Sequence, residues 1–136
     1  MSFGSDESSV ARKAAIQKLR NAGKILVASA GNDGNTGYSY PASSDGVISV
    51  GATTINNEIA DFSNRNSKVD ICAPGKSVCT TTADGEYRYA SGTSFSSPIV
   101  AGAAAVIKCA GTGLSPEQEM HFVIKDSSFV ASNFTV

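Results

Sequence analysis

The sequence predicts an α/β fold in which a mostly parallel sheet is flanked by helices. Short apolar runs recur at residues 24–30, 47–51 and 68–72, and each is long enough for one buried strand. A helical pattern precedes the first run, and a long apolar helical segment follows the last. This succession of a helix, three strands and a long helix is typical of parallel-sheet proteins.

The first helix is predicted to begin near Ser5, because serine is a favoured helix cap. Gly23 is predicted to end it, since glycine tolerates the left-handed turn at a helix C-terminus. Its apolar positions are Val10, Ala11, Ala14, Ala15, Ile16 and Leu19. The strand at residues 24–30 then leads into a polar turn at residues 31–34, and loops at such strand ends commonly carry functional groups.

A further helix is predicted from the capping box at residues 115–118 (SPEQ), which includes a proline in the first turn. Met120, Val123 and Ile124 would share its buried face at helical spacing. His121, the only histidine of the chain, lies off that face. We therefore expect His121 to be a surface histidine without a catalytic task.

Composition argues against several classes of function. The chain has 136 residues, of which 41% are hydrophobic and 17% charged, and its net charge is −1. With no basic cluster, the sequence suggests neither a nucleic-acid partner nor a membrane partner. Its apolar runs are far shorter than the ~20 residues that span a bilayer, and its first residues do not form a signal peptide. The scattered acidic residues, the lone histidine and the cysteines have no metal-ligand spacing, so no metal or other cofactor is predicted from them.

Three cysteines leave the pairing open. Cys72 and Cys79 are close enough to close a small loop if the parent protein is exported, whereas Cys109 is expected to be a buried apolar side chain of the long helix. Residues 133–135 (NFT) fit the weak triplet that accepts glycosylation.

The segment at residues 91–98 (SGTSFSSP) is the most informative for function, because it places Ser94 in the first turn of the long helix. Pro98 is expected in the same first turn. The apolar residues that follow predict a buried helix: Ile99, Val100, Ala103, Ala104, Val106 and Ile107. The free N–H groups and dipole of a buried helix start favour developing negative charge. Ser94 is thus a candidate nucleophile for acyl transfer, although a serine at such a place, taken alone, is more often a cap.

Residues 92–102 (GTSFSSPIVAG) resemble the nucleophile motif of subtilisin-like serine proteases, in which Gly-Thr-Ser precedes a small or apolar pair, Ser-Pro and Val-Ala-Gly. Residues 30–34 (AGNDG) are similar to the family's Ala-Gly-Asn-x-Gly, and residues 1–4 (MSFG) to its Met-Ser-Leu-Gly. Segments at 50–52, 61–64 and 69–75 extend the resemblance, which covers roughly residues 1–128.

The chain departs from the family pattern near the candidate nucleophile. Phe95 stands where methionine is usual, and it places a rigid ring beside the site. Ile99 replaces a common histidine, and Ser91 replaces a common asparagine, which could weaken support for the transition state.

The resemblance implies the C-terminal half of a subtilisin-like three-layer fold that cleaves peptide bonds. Ser94 would be the nucleophile, and Asn32 would direct its side-chain amide at the oxyanion. The substrate-binding residues would be Ser2, Phe3 and Gly4 on one wall of a cleft, Ala30, Gly31 and Asp33 on the other, and Thr93. Asp33 at the rim would favour basic substrate side chains by a small amount. A cis bond between Tyr40 and Pro41 is also implied.

Catalysis by a serine hydroxyl needs a histidine base and a carboxylate that orients it. In subtilisins the Asp and the His precede the Ser, so both are expected upstream of Met1, and the closing strand and helix are expected downstream of this chain. Residues 1–136 would then be a partial peptidase domain that is inactive alone. Its partners would be a peptide or protein substrate and the missing N-terminal half. Calcium is possible in the complete domain, with the main site in the other half.

Two other interpretations stay open. The chain could be a truncated or pseudoprotease module that acts only as a binding surface. It could also be an esterase of the α/β-hydrolase type, because residues 92–96 nearly fit Gly-x-Ser-x-Gly, but Ser96 breaks that motif and His121 would have to be the base. Because a half-domain exposes a sheet edge and a bare face, we also expect the chain to be unstable or to self-associate.

Overall fold

Three parallel strands form the centre of the molecule in a computed structural model that describes residues 1–110 and 113–125. The strands are β1 (Val27–Ser29), β2 (Ile48–Thr53) and β3 (Ile71–Pro74), in the order β1-β2-β3. Met1 lies beside β1, since its amino group donates to the Val27 carbonyl (2.6 Å) and its carbonyl accepts from the Ser29 N–H (3.0 Å).

Helices cover both faces of this sheet. On one face, Ile16 of α1 (Val10–Asn21) packs with Leu26, Ala28, Ala42 and Val47. On the other face lie α2 (Thr93–Cys109) and α3 (Pro116–Lys125). Their buried side chains pack on the strands in a core of Val27, Ile48, Val50, Ile71, Ala73, Val100, Ala104 and Val123. The predicted α/β class, with a parallel sheet between helices, is confirmed.

The start of α1 differs from the prediction. Ser9, not Ser5, is its N-cap, and the Ser9 side chain accepts from the Arg12 N–H (3.2 Å). Ser5 instead pairs with Tyr40 through two backbone hydrogen bonds of 3.0 and 2.8 Å, which hold it outside the helix. Only Ile16 of the predicted apolar set is buried, whereas Gly23, with φ +69°, follows the helix end as expected.

A β-hairpin of β4 (Val78–Thr81) and β5 (Tyr87–Ala90) was not predicted. Its strands are mostly exposed and therefore lack the apolar runs used to find the others. The usable signal was Asp84-Gly85, a dipeptide typical of tight turns, between two segments rich in β-branched and aromatic residues.

Helix α2 is less buried than predicted. Val100 and Ala104 face the core, but Ile99 is 45% exposed and Val106 is 70% exposed. Nothing in the described part of the chain covers this outer face. Pro98 is the sixth residue of α2, so it lies in the second turn and not in the first as predicted.

The remaining local predictions have mixed outcomes. The capping box of α3 is confirmed, with reciprocal bonds between Ser115 and Gln118 of 2.8 and 3.3 Å. The Tyr40-Pro41 bond is cis, as expected. Cys109 is exposed, so its predicted burial is wrong, and all three cysteines are unpaired. Among the residues described, no helix combines the length and apolarity needed to cross a membrane. Residues 133–135 lie outside the described residues.

Candidate active site

Ser94 differs from the other two serines at the start of α2. Ser96 and Ser97 are fully buried, and their hydroxyls donate to the carbonyls of Ala73 (3.0 Å) and Met1 (3.4 Å). Ser94 is partly exposed, and its hydroxyl has no hydrogen-bond partner within residues 1–110 and 113–125. It is not the helix cap either, because Gly92 occupies that position. The Ser94 hydroxyl is therefore unengaged and accessible within the described structure.

Asn32, at the end of β1, lies against the same helix start. Its Oδ1 accepts from the backbone N–H of Thr93 (2.8 Å) and from the Thr93 hydroxyl (2.9 Å). Since a backbone N–H can only donate, this contact fixes the oxygen of the carboxamide toward Thr93 and leaves Nδ2 pointing away. Nδ2 donates to no acceptor in the part of the chain described here.

Thr93 is a fully buried link between these two segments. Its Oγ1 also accepts from the Gly31 N–H (3.3 Å), so one hydroxyl connects the loop after β1 to the start of α2. The resemblance implied a substrate-binding role for Thr93. Thr93 lines the cleft, but its hydroxyl forms hydrogen bonds with Asn32 and Gly31 and not with the cleft interior.

Two nitrogen atoms lie close to the position that a β-carbon on Gly92 would occupy. Such a β-carbon would be 3.4 Å from Asn32 Nδ2, 3.8 Å from the Ser94 N atom and 3.8 Å from Phe95 Cδ2. Gly92 has φ +156°, which also disfavours other residues. Like Nδ2, the Ser94 N–H, in the first helical turn, meets no acceptor among the described residues. This arrangement can stabilise a negatively charged oxygen.

A cleft of about 280 Å³ opens beside Ser94. Its lining includes all but one of the predicted site residues, namely Ser2, Phe3, Gly4, Gly31, Asn32, Asp33, Thr93 and Ser94. The exception is Ala30, which is buried with 2% exposure. Ser5, Asp6, Ser29 and Ser39 complete the lining.

The wall formed by residues 2–4 is tied directly to α2. Pro98 has no N–H, so the carbonyl of Ser94, four residues earlier, lacks its helical partner. The Ser2 hydroxyl donates to that carbonyl instead (3.0 Å). Gly4 faces Ser39 so closely that any β-carbon on Gly4 would collide with the Ser39 hydroxyl.

Asn64 supports the opposite wall, and the sequence analysis assigned it no role. It is 2% exposed; its Oδ1 accepts from the Asp33 N–H (2.8 Å), and its Nδ2 donates to Asp33 Oδ2 (3.3 Å). The only signal in the sequence was its place in the family-like segment at residues 61–64.

His121 lies far from Ser94, near the opposite end of α2. It is exposed on α3. Glu119 of α3 forms a salt bridge with Lys108 near the end of α2 (3.2 Å), which places α3 at that end of the helix. Lys108 follows Ser94 by 14 residues (108 − 94), which at 1.5 Å per residue is about 20 Å along the helix. Within the described residues, no group of three or more His, Cys, Asp or Glu side chains could hold a metal ion.

Comparison with known proteins identifies the family. The model of the subtilase family, peptidase family S8, matches residues 1–133. The chain belongs to the subtilase family. This subtilase chain is 42% identical over 122 residues to subtilisin DY of Bacillus licheniformis, covering 87% of the chain and 44% of that protein. It is also 42% identical over 108 residues to the thermostable alkaline protease of Halalkalibacterium halodurans, covering 79% and 30%.

Solved protease structures agree with this assignment. The chain superimposes on a protease from Pseudoalteromonas arctica PAMC 21717 with a TM-score of 0.90 at 30% identity, covering 98% of the chain and 46% of that structure. It matches the self-cleaved protease domain of PatA with a TM-score of 0.79 at 32% identity, covering 88% and 49%. The chain thus spans less than half the length of each of these four proteins.

Proposed function

We propose that residues 1–136 supply the nucleophile and the oxyanion donors of a serine endopeptidase that cleaves peptide or protein substrates. One observation carries the proposal: the unengaged Ser94 hydroxyl lies at the N-terminus of α2 and lines the same cleft as Asn32. Thr93 fixes the Asn32 carboxamide by donating two hydrogen bonds to its oxygen. The family assignment supports the same activity.

In the proposed reaction, Ser94 Oγ attacks the carbonyl carbon of the scissile peptide bond. The serine proton passes to a base, and the carbonyl oxygen becomes an oxyanion that accepts hydrogen bonds from Asn32 Nδ2 and the Ser94 N–H. Collapse of this intermediate breaks the C–N bond as the base returns the proton to the leaving amine. Water then hydrolyses the acyl group from Ser94.

The base and its orienting carboxylate would come from outside these residues, either from an upstream segment or from another chain. His121 does not fill the role, because α3 holds it near the far end of α2. That distance also counts against the esterase hypothesis, which needs His121 as the base.

The experiment is peptide hydrolysis by the chain combined with a segment that carries the missing Asp and His. We expect hydrolysis by the combination, none by residues 1–136 alone, and loss of activity in Ser94→Ala. Ser96→Ala is the matched control, because Ser96 is a buried serine of the same helix whose hydroxyl donates to the Ala73 carbonyl. Full activity in Ser94→Ala would refute the proposal.

A second candidate is a non-catalytic module that acts as a binding surface. It is favoured by the distance between Ser94 and the single histidine of these 136 residues. The sequence upstream of Met1 in the parent polypeptide separates the two, since an Asp and a His in subtilisin context there support the peptidase.

A further inference from the structure

A second cleft, of about 410 Å³, opens between α1 and the loop at residues 40–45. We call it the α1 cleft. Lys13 and Gln17 of α1 line one side, residues of the loop line the other, and Lys68 completes it. The α1 cleft shares no lining residue with the cleft beside Ser94, so a ligand there would be distinct from the peptide substrate.

Ser43 presents an unpartnered hydroxyl to the α1 cleft. The residue is only 7% exposed, and its backbone N–H donates to the Ser39 carbonyl (2.8 Å). Its hydroxyl forms no hydrogen bond with the residues described, yet it is not among the fully enclosed hydroxyls that lack a partner. Its remaining exposure therefore opens to the cleft that it lines. Since buried polar side chains nearly always have a partner, this hydroxyl indicates a ligand.

Two further hydroxyls of the same loop lack partners. The Ser44 hydroxyl is enclosed beside the cleft and meets no donor or acceptor in the described part of the chain. Tyr40 also lines the cleft, and its phenolic hydroxyl forms no hydrogen bond with the described residues. The loop thus offers hydroxyl groups that the fold itself does not use. A hydroxyl can donate or accept, so the charge of the cleft decides which ligand suits it.

The charge of the α1 cleft is positive. Its one carboxylate, Asp45, is already paired with Lys68 (3.0 Å). Lys68, and then Arg20 and Lys13, lower the pKa of Asp45, so all three cations act on this region. Arg20 is shared with Glu117 (3.8 Å), whereas Lys13 forms no ion pair within residues 1–110 and 113–125. The Lys13 ammonium is therefore available to an anionic group in the cleft.

We propose that the α1 cleft binds a small phosphorylated molecule, whose phosphate accepts hydrogen bonds from Lys13 and from the Ser43 and Tyr40 hydroxyls. A phosphate group has enough acceptor oxygens for these donors at once, whereas a carboxylate has two. The cleft volume lies in the range of small-molecule sites and exceeds what a bare ion needs. Gln17 Nε2 donates to Asn21 Oδ1 (2.8 Å), so Gln17 Oε1 remains as an acceptor for a hydroxyl of the same ligand.

The test titrates the chain with inorganic phosphate and with glycerol phosphate, and follows the backbone amide signals by NMR. Sodium chloride at equal ionic strength and glycerol are the ligand controls. We expect saturable shifts at residues 43–46 and at Lys13, with glycerol phosphate binding at least as tightly as phosphate. Lys13→Gln should weaken binding about two- to fivefold. Lys18→Gln, which removes the same charge from α1 outside the cleft lining, should leave it unchanged.

Ser43→Ala separates a binding role from a structural one. Because the Ser43 hydroxyl has no partner in the described structure, its removal should not lower the melting temperature without ligand. It should nevertheless weaken phosphate binding about fivefold and reduce the rise in melting temperature that phosphate causes.

The inference is overturned if phosphate and sodium chloride shift the same signals equally, or if Lys13→Gln and Ser43→Ala bind phosphate as tightly as the unchanged chain. Equal weakening by Lys18→Gln and Lys13→Gln would also overturn it, since the attraction would then be nonspecific. Binding of inorganic phosphate but not of glycerol phosphate would refute the assignment to a phosphorylated molecule. Where residues 1–136 alone are not folded, the titration uses their combination with the base-bearing segment. No binding there overturns the inference and leaves the proposed peptidase untouched, because the two clefts share no residue.

Discussion

At the residue scale, Thr93 sets the orientation of the Asn32 carboxamide. The side-chain oxygen of Asn32 accepts two hydrogen bonds from Thr93, so the direction of its Nδ2 is set by a residue that is itself fully buried. A donor fixed before substrate arrives does not have to reorganise as charge develops on the substrate.

Thr93→Val should therefore slow catalysis. The valine keeps the shape but removes the hydroxyl bond to Asn32 Oδ1 and leaves the Gly31 N–H without its acceptor, and a neutral hydrogen bond of about 1 kcal/mol corresponds to about fivefold in kcat. Steady-state kinetics of the combined enzyme checks this, and Thr93→Ser, which retains the hydroxyl, is the control. An equal loss in both variants would contradict the role assigned to the hydroxyl.

The cysteines give a second prediction at this scale. Burial raises the pKa of the Cys72 thiol from 9.0 to about 12, whereas Cys79 and Cys109 are exposed. At pH 8, a thiol reagent should modify two thiols quickly and Cys72 only after unfolding, because the thiolate is the reactive form.

The same shift makes stability depend on pH. The unfolded chain releases the Cys72 proton near pH 9.0 and the folded chain near pH 12, so stability should fall as pH rises across this interval. Cys72→Ala should remove this part of the slope in urea titrations. In the thiol-modification experiment, rapid reaction of all three cysteines at pH 8 would show that Cys72 is not buried.

The sequence pointed to Ser94 and Asn32 as candidates because each lies in a distinctive motif at an element boundary. It assigned no role to Asn64 and did not foresee that Thr93 engages Asn32, since both facts depend on contacts across 31 and 61 residues of chain. Spacing along the chain does not reveal which distant hydroxyl or amide completes such a contact.

At the scale of elements, the cleft wall and α2 are coupled through a proline. Pro98 has no N–H to donate to the Ser94 carbonyl, so the Ser2 hydroxyl donates to that carbonyl instead (3.0 Å). The proline thus makes room for a contact between the wall at residues 2–4 and the turn that carries the candidate nucleophile.

A double-mutant cycle tests this coupling. Ser2→Ala should lower the free energy of unfolding by about 0.5–1 kcal/mol, because it leaves the Ser94 carbonyl without a protein donor. In a Pro98→Ala background, the restored N–H can bond to that carbonyl, so Ser2→Ala should cost less. Denaturant titrations measure both steps, and an identical cost in the two backgrounds would contradict the coupling.

Elements with strong apolar runs were predicted well, and exposed ones were not. Both β1 and β2 are buried at every residue and lie within one to three residues of their predicted places. The hairpin of β4 and β5 was missed because its pairing depends on a turn at Asp84 and Gly85 and not on burial. Ser5 was misplaced because strand-like pairing with Tyr40 competes with its capping preference.

At the scale of the whole molecule, the outer face of α2 is the main feature that the sequence analysis misjudged. A helix that is apolar on all sides is expected to be buried, yet Ile99 and Val106 are exposed in the described structure. Gly102 is on this face, and a β-carbon there would meet nothing within 4 Å. We expect the proposed base-bearing segment to pack against this face, because exposed apolar surface favours burial.

Gly102→Ala should act in opposite directions on the chain alone and on the combination. Alone, the alanine should stabilise α2 by about 0.5–1 kcal/mol, because it lowers the entropy of the unfolded chain and meets open space. With the base-bearing segment, it should weaken assembly if the two pack closely at Gly102. Thermal melts and a pull-down measure the two effects, and unchanged assembly would argue against close packing there.

The chain alone should also self-associate, because its exposed apolar residues on α2 favour contact between copies. Sedimentation velocity over a range of concentrations measures this directly. A sharp two-state melt from a species that stays monomeric would count against it.

The central claim is that Ser94 and Asn32 form a reaction half-site whose proton acceptor lies outside residues 1–136. Labelling of Ser94 by a fluorophosphonate, located by peptide mass spectrometry, tests it most directly. We predict no labelling of the chain alone and rapid labelling at Ser94 once the segment with the Asp and the His is supplied. Strong labelling of Ser94 in the chain alone, or none in a folded combination, would contradict the claim.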